Sequence, residues 1–336
     1  MKFATYDDGS TDGRLYVVSS DHARAVDASA ITPSLLSALQ NWREVEAPLK
    51  RLSEDLDANH SAIGVDFEPR LCLAPLPRAP QWCDGSAFLN HGRLMERAFN
   101  TPPIPDFETI PVMYQGASDD FLGPCADTPF VSEVDGIDFE GEFGVIVDEV
   151  AMGTSARVAA NCIRLVVQIN DWSLRAIGAY EMPRGFGFLQ AKPTTSFAPI
   201  TVTPDELGSA WRDGRVALNL HVARNGERIG GASGAEMAFS FQDLIAHAAR
   251  TRRLRAGTII GSGTVSTKDR AAGSSCLAEK RVIEKLDLGE ARTPFLMFGD
   301  RVEMEARFAD GRPGPFGRID QRVVGPQTSK IGEKRV

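Results

Sequence analysis

The stretch Ile137-Asp-Phe-Glu-Gly-Glu-Phe-Gly-Val-Ile-Val-Asp148 combines two glutamates with a long apolar run. On a strand, Glu140 and Glu142 would share one face, about 6 to 7 Å apart along the backbone. The apolar residues 143–147 predict a buried strand, where a carboxylate without a partner is costly. Two such carboxylates repel each other unless a cation lies between them, and oxygen ligands suit Mg²⁺ or Ca²⁺. The ordinary alternative is that Glu140 and Glu142 are the exposed polar residues of a half-buried strand. The apolar run after them argues against this interpretation.

The composition is that of a globular protein. The chain has 336 residues, 43% of them hydrophobic and 24% charged, enough for one large domain and a smaller companion. Its net charge of −8 argues against a nucleic-acid partner, which requires a concentrated basic face. No apolar run approaches the length of a membrane span, and the first residues lack a signal-peptide core, so we expect a cytoplasmic protein without membrane contact. Five scattered cysteines without a Cys-x-x-Cys pair indicate neither a disulfide framework nor a zinc site.

The chain divides at a proline-rich segment. Residues 1–72 are predicted to form a small α+β domain, with a hairpin of strands Lys2–Tyr6 and Leu15–Ser19 and then a helix capped by Thr32. Residues 73–82 contain too many prolines for a regular helix and open the main domain, residues 73–326. Strands dominate there, including 139–147, 164–169 and a hairpin around Asn225-Gly226. The polar residues 327–336 are predicted to form a flexible tail.

A second candidate segment, Asn170-Asp-Trp-Ser-Leu-Arg175, follows an apolar strand. If it is helical, Asp171 could cap the helix and pair with Arg175, which is the ordinary interpretation. The combination Asp-Trp-Ser-x-Arg is more specific than that interpretation requires. The glycines of Gly261-Ser-Gly263 lack the third glycine of a dinucleotide site, so close packing or a substrate pocket explains them better.

With these two segments, the chain resembles the fumarylacetoacetate hydrolase family. There an acidic Glu-x-Glu strand, an Asn-Asp-Trp-Ser-x-Arg segment and a downstream lysine build the metal site. The resemblance continues in the family's order through residues 83–91, 113–118, 185–196, 261–264 and 298–302. It implies a β-rich α+β fold, with the family's mixed β-sandwich roll as main domain and the small N-terminal α+β domain of a bacterial branch. It also implies a homodimer.

The resemblance implies a divalent cation, with Mg²⁺ expected and Ca²⁺ or Mn²⁺ as alternatives. The implied ligands are four carboxylates, with an ammonium and a hydroxyl close to the ion: Asp84, Glu140, Glu142, Asp171, Lys192 and Ser196. Asp84 and Asp171 enter only through the resemblance. Glu140 and Glu142 have the independent argument from strand geometry.

The resemblance also implies the catalytic groups. His91 matches the family's general base, and imidazole titrates near neutrality. Glu279 matches the glutamate that orients this base, although Ala278 is a competing alignment. Lys192 and Arg175 would offset negative charge that develops during the reaction. The implied substrate contacts are Tyr114, Ser86, Thr264 and Arg175.

The implied reaction is hydrolysis of a carbon–carbon bond in a 1,3-diketo acid. Fumarylacetoacetate, which would give fumarate and acetoacetate in aromatic amino-acid catabolism, is the first expected substrate. Ser86, Asn100 and Gly178 depart from the animal enzymes' pattern where substrate carboxylates are recognised, and Arg93 or Arg97 could supply a replacement cation.

The sequence is also compatible with other functions. Within the family, the alternatives are hydrolysis of an acylpyruvate such as fumarylpyruvate and decarboxylation of oxaloacetate. From a different class, the chain could be a non-catalytic protein that binds a small acid. That alternative would leave His91, Lys192 and Glu279 unexplained.

Overall fold

A computed structural model of the chain describes residues 1–58 and 63–326. Strands outnumber helices, which confirms the predicted β-rich α+β class. The strands are β1 (Lys2–Tyr6), β2 (Arg14–Val18), β3 (Arg24–Asp27), β4 (Val65–Asp66), β5 (Trp82–Gly85), β6 (Met113–Gln115), β7 (Thr128–Pro129), β8 (Ile137–Asp138), β9 (Gly141–Val147), β10 (Ile163–Asn170), β11 (Ser173–Leu174), β12 (Ser196–Phe197), β13 (Thr201–Val202), β14 (Trp211–Arg212), β15 (Arg215–Val216), β16 (Asn219–Arg224), β17 (Glu227–Ser233), β18 (Ile259–Gly261), β19 (Arg301–Arg307) and β20 (Pro313–Val324).

Seven α-helices lie between strands in the described part of the chain. They are α1 (Leu35–Gln40), α2 (Trp42–Ala58), α3 (Leu89–Phe99), α4 (Ala156–Ala159), α5 (Arg175–Glu181), α6 (Phe241–Ala248) and α7 (Leu277–Leu288). None of the helices in the described part of the chain has both the length and the apolar character needed to cross a bilayer. The predicted tail, residues 327–336, lies outside the described residues.

Two sheets enclose the main core. An 11-stranded mixed sheet has the order β4-β3-β2-β1-β13-β10-β9-β18-β5-β6, with β12 paired to β10. A five-stranded sheet has the order β17-β16-β19-β20-β7. Phe143 of the first sheet and Leu220 of the second lie in one apolar cluster. Buried Gln168 joins the layers, because its side-chain amide donates to the Met304 carbonyl at 3.1 Å and accepts from Ala306 N at 2.7 Å.

The N-terminal unit follows its predicted pattern, with one correction. β1 and β2 form the expected antiparallel hairpin. The helix cap is Ser34 rather than Thr32, because the Ser34 hydroxyl accepts from Ser37 N at 3.2 Å while the Thr32 hydroxyl is buried without a hydrogen-bond partner in the described chain. The four described strands of residues 1–72 all belong to the 11-stranded sheet. β1 pairs with β13, and Phe3 and Leu49 share an apolar cluster with Leu165 of the main domain.

Three neighbouring strands bring the predicted ligands together. Glu142 is near the start of β9, and Ile169 of the antiparallel strand β10 lies opposite it, so Asp171 follows at the same sheet end. β18 joins β9 to β5, with Gly261 opposite both Gly144 and Asp84. A Cβ at Gly261 would lie 2.3 Å from Asp84 Oδ1, so this close approach requires glycine. The predicted strand 139–147 begins only at Gly141, which leaves Glu140 just before it.

Candidate active site

Asp84, Glu142 and Asp171 form an acidic cluster at this sheet end. Each offers a carboxylate oxygen, and these oxygens all lie within 4.8 Å of one another. All three side chains are buried. The backbone N–H of Gly263 donates to Asp84 Oδ1 at 3.0 Å. The structure thus brings together three of the four carboxylates that the sequence predicted as cation ligands.

Glu142 shows that the cluster fits a cation. Both of its carboxylate oxygens are buried and have no hydrogen-bond partner among the described residues. Burial, and then the Asp84 and Asp171 carboxylates, raise the pKa of Glu142 well above its ordinary value. Burial and Asp171 likewise raise the pKa of Asp84 to about 7. Oxygen donors with this excess of negative charge suit a hard divalent cation such as Mg²⁺, Ca²⁺ or Mn²⁺.

Glu140 lies beside this cluster and has different partners. Its Oε1 is 2.7 Å from the Arg175 guanidinium, and its Oε2 accepts from the Lys192 ammonium. Burial acts to raise the pKa of Glu140, but Lys192 and Arg175 together lower it to about 2. Two protein cations therefore offset this charge, and its predicted role as a cation ligand stays a prediction.

Lys192 joins Glu140 to the acidic cluster, since its ammonium also donates to Asp171 Oδ2 at 2.8 Å. Burial acts to lower the pKa of Lys192, whereas Asp171 and Glu140 raise it, so the side chain stays protonated. The Tyr114 hydroxyl donates to the same Asp171 oxygen. Lys192 and Tyr114 thus fix the orientation of one candidate ligand.

Of the neighbouring residues Thr195 and Ser196, it is Thr195 whose hydroxyl contacts the cluster, rather than the predicted Ser196. Thr195 Oγ1 donates to Asp171 Oδ1 at 2.8 Å, while Ser196 Oγ accepts from the Trp172 indole at 2.9 Å. Neighbouring residues on an extended segment point to opposite sides, which explains the exchange. The only signal in the sequence was that these two hydroxyl residues are adjacent.

The ordinary interpretation of Asp171 as a helix cap is wrong. α5 begins at Arg175, and its N-cap is Leu174, which makes no side-chain capping bond. The partners of Arg175 are Asp138, at 2.8 Å, and Glu140. Asp171 therefore belongs to the acidic cluster and does not cap the helix.

His91 and Glu279 form a buried pair on the neighbouring wall. His91, on α3, has Nδ1 at 3.1 Å from Oε2 of Glu279, in the first turn of α7. Ser266 Oγ donates to the other Glu279 oxygen at 3.0 Å. A proton shared between Nδ1 and Glu279 leaves Nε2 as the basic nitrogen. Glu279 makes this contact, whereas the competing Ala278 offers no side-chain acceptor.

Asp138 is a buried residue that the sequence reasoning missed. Its Oδ1 accepts from Phe139 N and Leu277 N, and its Oδ2 accepts from Ala278 N and the Arg175 guanidinium, each at 2.8 Å. The carboxylate therefore occupies the N-terminus of α7, where negative charge is favoured. It positions both Arg175 and the helix turn that carries Glu279. Its alternation with Glu140 and Glu142 was an available signal.

Asp84, His91, Glu140 and Lys192 line one pocket with a volume of about 670 Å³. The four predicted substrate contacts, Tyr114, Ser86, Thr264 and Arg175, all lie in its wall. Thr264 Oγ1 and Arg175 Nη2 are buried and have no hydrogen-bond partner in the described chain, so they can donate to a bound molecule. Neither Arg93 nor Arg97 is among the described residues that line the pocket. Arg93 instead pairs with Glu108.

Comparison with known proteins agrees with this architecture. The family model of the fumarylacetoacetate hydrolase C-terminal domain matches residues 81–324, and that of fumarylacetoacetase N-terminal domain 2 matches residues 1–78. The chain is 28% identical over 165 residues to a 2,4-didehydro-3-deoxy-L-rhamnonate hydrolase of Sphingomonas sp. (strain SKA58), covering 48% of this chain and 54% of that protein. It is 26% identical over 255 residues to a fumarylacetoacetase of Caenorhabditis elegans, covering 63% and 61%.

The matches thus span between half and two thirds of these relatives' lengths. Among solved structures, a maleylpyruvate hydrolase from Sphingobium sp. SYK-6, in complex with manganese(II) and pyruvate, has a TM-score of 0.63 at 16% sequence identity. The alignment covers 97% of this chain and 100% of that one, so the two share a fold. The family models together span most of the sequence, and the fold agrees with them. The chain belongs to the fumarylacetoacetate hydrolase family.

Proposed function

We propose that this chain is a metal-dependent hydrolase that cleaves a carbon–carbon bond in a 1,3-diketo acid, with fumarylacetoacetate as the first substrate to test. The observation that carries the proposal is Glu142, a buried carboxylate that has no hydrogen-bond partner in the described part of the chain and faces two further carboxylates. Such a site is costly unless a cation offsets its charge. His91, which is paired with Glu279, lines the same pocket as Asp84 and supports hydrolysis in particular.

Asp84, Glu142 and Asp171 would hold the cation, and we propose Mg²⁺, with Mn²⁺ or Ca²⁺ as alternatives. When bound, a divalent cation supplies a Lewis acid that polarises the substrate's carbonyl groups and stabilises enolate charge. Lys192 and Tyr114 keep Asp171 oriented toward this position. The structure of the manganese-containing maleylpyruvate hydrolase supports a divalent ion in a site with this fold.

His91 would remove a proton from the attacking water, whose oxygen bonds to one carbonyl carbon of the substrate. Glu279 accepts a hydrogen bond from the imidazole and stabilises the imidazolium that forms. Cleavage of the bond between this carbon and the central methylene gives a carboxylic acid and an enolate. The proton held by His91 then returns to the enolate carbon, which completes the second product.

Arg175 and Lys192 supply positive charge in the pocket wall. Arg175 Nη2 is free of protein partners among the described residues, so it can donate to the substrate's carboxylate or to an oxyanion. The Thr264 hydroxyl likewise has no hydrogen-bond partner among the described residues, and Thr264 lines the same pocket. These two donors would hold the substrate with its cleaved carbonyl near His91.

The test is hydrolysis of four substrates by the purified protein with Mg²⁺: fumarylacetoacetate, fumarylpyruvate, acetylpyruvate and oxaloacetate. We expect diketone cleavage that EDTA abolishes and added Mg²⁺ restores. His91→Ala should lower kcat by about 10²- to 10⁴-fold, the usual contribution of a general base. His221→Ala is the matched control, because His221 is only partly buried and lies on β16, outside the pocket lining.

Full activity in His91→Ala, or activity that EDTA does not affect, would contradict the proposal. Decarboxylation of oxaloacetate without any diketone cleavage would instead identify the alternative reaction, which needs no water-activating base. We also propose the homodimer that the family resemblance implied. Light scattering on the purified chain tests it, and a monomer would contradict it.

A further inference from the structure

Asn90 lies next to His91 on α3 and makes two side-chain hydrogen bonds of its own. Its Nδ2 donates to Ser266 Oγ at 2.9 Å and to the Thr267 carbonyl at 2.8 Å. A carbonyl oxygen can only accept, so the group that faces Thr267 must be the NH₂ of the amide and not its oxygen. The backbone at Thr267 therefore fixes which way the Asn90 amide points.

The Asn90 amide in turn fixes the hydroxyl of Ser266. An amide NH₂ group donates and does not accept, so the single proton of the Ser266 hydroxyl is left for another partner. That partner is Oε1 of Glu279, at 3.0 Å. Ser266 is 1% exposed and Glu279 is fully buried, so solvent offers the hydroxyl no competing acceptor.

Both oxygens of the Glu279 carboxylate thus have a partner. Oε1 accepts from Ser266, and Oε2 lies 3.1 Å from His91 Nδ1. A hydrogen bond to an ionised carboxylate is stronger than one to a neutral carboxylic acid, so the Ser266 hydroxyl favours the ionised form of Glu279. The proton in the contact between Glu279 and His91 then belongs to Nδ1, and Nε2 keeps its lone pair.

Asn90 and Ser266 act from behind the pocket wall. Neither is among the described residues that line the pocket, whereas His91 is. Asn90 lies on α3, and Ser266 lies on the segment between β18 and α7. Because Asn90 and His91 are neighbours in the chain, their bonds to Ser266 and Glu279 close a ring that joins α3, this segment and α7.

We propose that Ser266 and Asn90 are positioning residues for the base: they orient Glu279 so that the neutral imidazole of His91 carries its proton on Nδ1 and leaves Nε2 able to take a proton from water. The inference rests on the proposed function, since it explains how the base of that reaction is held in its active tautomer. Because neither residue lines the pocket, their loss should lower kcat and leave KM unchanged.

Nitrogen-15 NMR of the histidine rings measures this tautomer directly. The chain has five histidines, and the spectrum of His91→Ala identifies the signals of His91. At alkaline pH, in EDTA and without substrate, we expect the proton on Nδ1 in the unmodified protein. In Ser266→Ala the form protonated at Nε2 should become populated, because Oε1 of Glu279 then lacks its donor. Asn90→Ala should cause a smaller change, since the Ser266 hydroxyl is present but no longer oriented.

The rate of cleavage with Mg²⁺ is the second readout. In Ser266→Ala, kcat should fall by about tenfold or more, the worth of a hydrogen bond to a charged group. Ser240→Ala is the matched control, because Ser240 Oγ is also buried and donates to a carboxylate, Asp243 Oδ2, at 2.5 Å. Ser240 is outside the pocket lining, so this variant should lose stability with kcat unchanged.

A double variant tests whether Asn90 acts through Ser266. A residue that acts only through the serine has nothing to orient once the hydroxyl is gone. We therefore expect Asn90→Ala/Ser266→Ala to have the same kcat and the same His91 tautomer as Ser266→Ala alone. A further loss of kcat in the double variant would contradict this order of action.

A proton on Nε2 of His91 in the unmodified protein would overturn the inference, as would an unchanged tautomer in Ser266→Ala. If Ser266→Ala does not fold, the tautomer in Asn90→Ala decides in the same way. The proposed function fails differently, through absence of cleavage of every substrate by the unmodified enzyme. The NMR measurement needs no turnover, so the two failures can be told apart.

Discussion

The ion-paired wall around Glu140 and the acidic cluster around Glu142 are neighbours with opposite electrostatics. Glu140 and Glu142 are two residues apart and both buried, yet the pKa of Glu140 is lowered to about 2 and that of Glu142 is raised. The difference comes from their partners. Glu140 contacts two protein cations, whereas Glu142 faces two more carboxylates. The charge of Glu140 is offset within the chain, whereas the acidic cluster is the region for which we propose a bound cation.

Removing charge from the ion-paired wall should have the largest effect on stability. Glu140→Gln leaves Lys192 and Arg175 buried with one fewer partner, and breaking such a pair costs about 3–5 kcal/mol. Urea unfolding in EDTA measures the loss. Glu149→Gln is the control, since its ion pair with Arg253 is exposed and worth less than about 1 kcal/mol. Equal losses in the two variants would contradict the distinction between the regions.

The same substitution in the acidic cluster should act on cation binding instead. Glu142→Gln removes a proposed ligand, so we expect the affinity for Mg²⁺ or Mn²⁺ to fall by at least about 100-fold. Loss of a residue that only supports a metal ligand already lowers metal affinity by about 10- to 100-fold. Without the cation, stability should stay unchanged or rise, because a costly buried charge has been removed. Calorimetry and urea unfolding give the two values. A destabilisation in EDTA as large as that of Glu140→Gln would show that the regions do not differ.

Asp138 lies behind the ion-paired wall, and its loss should have a smaller effect on stability. Asp138→Asn weakens charge-assisted bonds to Arg175 and to the start of α7, at a cost of about 2 kcal/mol. Because α7 carries Glu279, kcat should also fall and its pH profile should shift. Asp243→Asn at the start of α6 is the control for a merely structural cap, and it should lower stability with kcat unchanged. Matching kcat values in the two variants would exclude a positioning role.

The pH dependence of cation binding should give the smallest effect. The pKa of Asp84 in the metal-free fold is about 7, above its ordinary value, so its contribution to stability is present at low pH and is lost as pH rises through 7. A cation binds the ionised carboxylate. Below pH 7, the affinity for the cation should therefore increase with rising pH, by up to about tenfold per pH unit for each proton that the cation displaces. Thermal unfolding at about pH 6 and pH 8 should therefore show a larger Mg²⁺-induced increase in Tm at pH 8. Equal increases would show that no proton is displaced.

The sequence was sufficient wherever the determining pattern was local. The apolar run after Glu142 predicted its burial, and Asn225-Gly226 predicted the β16–β17 turn, where both residues have positive φ. β20 went unpredicted, because two prolines and two glycines hide its alternation. α7 also went unpredicted, since its cap is Cys276, a residue that rarely signals a helix start.

Residues that depend on distant contacts could not be predicted in the same way. Thr195 reaches Asp171 because β12 pairs with β10 and Ser196 lies opposite Asn170, and no local rule distinguishes Thr195 from Ser196. Asp138 receives its partners from residues 175, 277 and 278, far along the chain. The resemblance named Asp84, His91 and Glu279, but the physical reason for their proximity is the pairing of β5, β18 and β9 and the placement of α3 against α7.

The pairing of β1 with β13 has a practical consequence for engineering the molecule. Two family models divide the chain near residue 80, yet hydrogen bonds and a shared apolar cluster cross that division. A recombinant fragment that starts there would expose a sheet edge and apolar side chains, which favours aggregation. Exchanging residues 1–78 between homologues would likewise require the paired residues of β1 and β13 to be exchanged together. Two separate family models describe these parts of the chain, but we expect the two parts to unfold together in one transition.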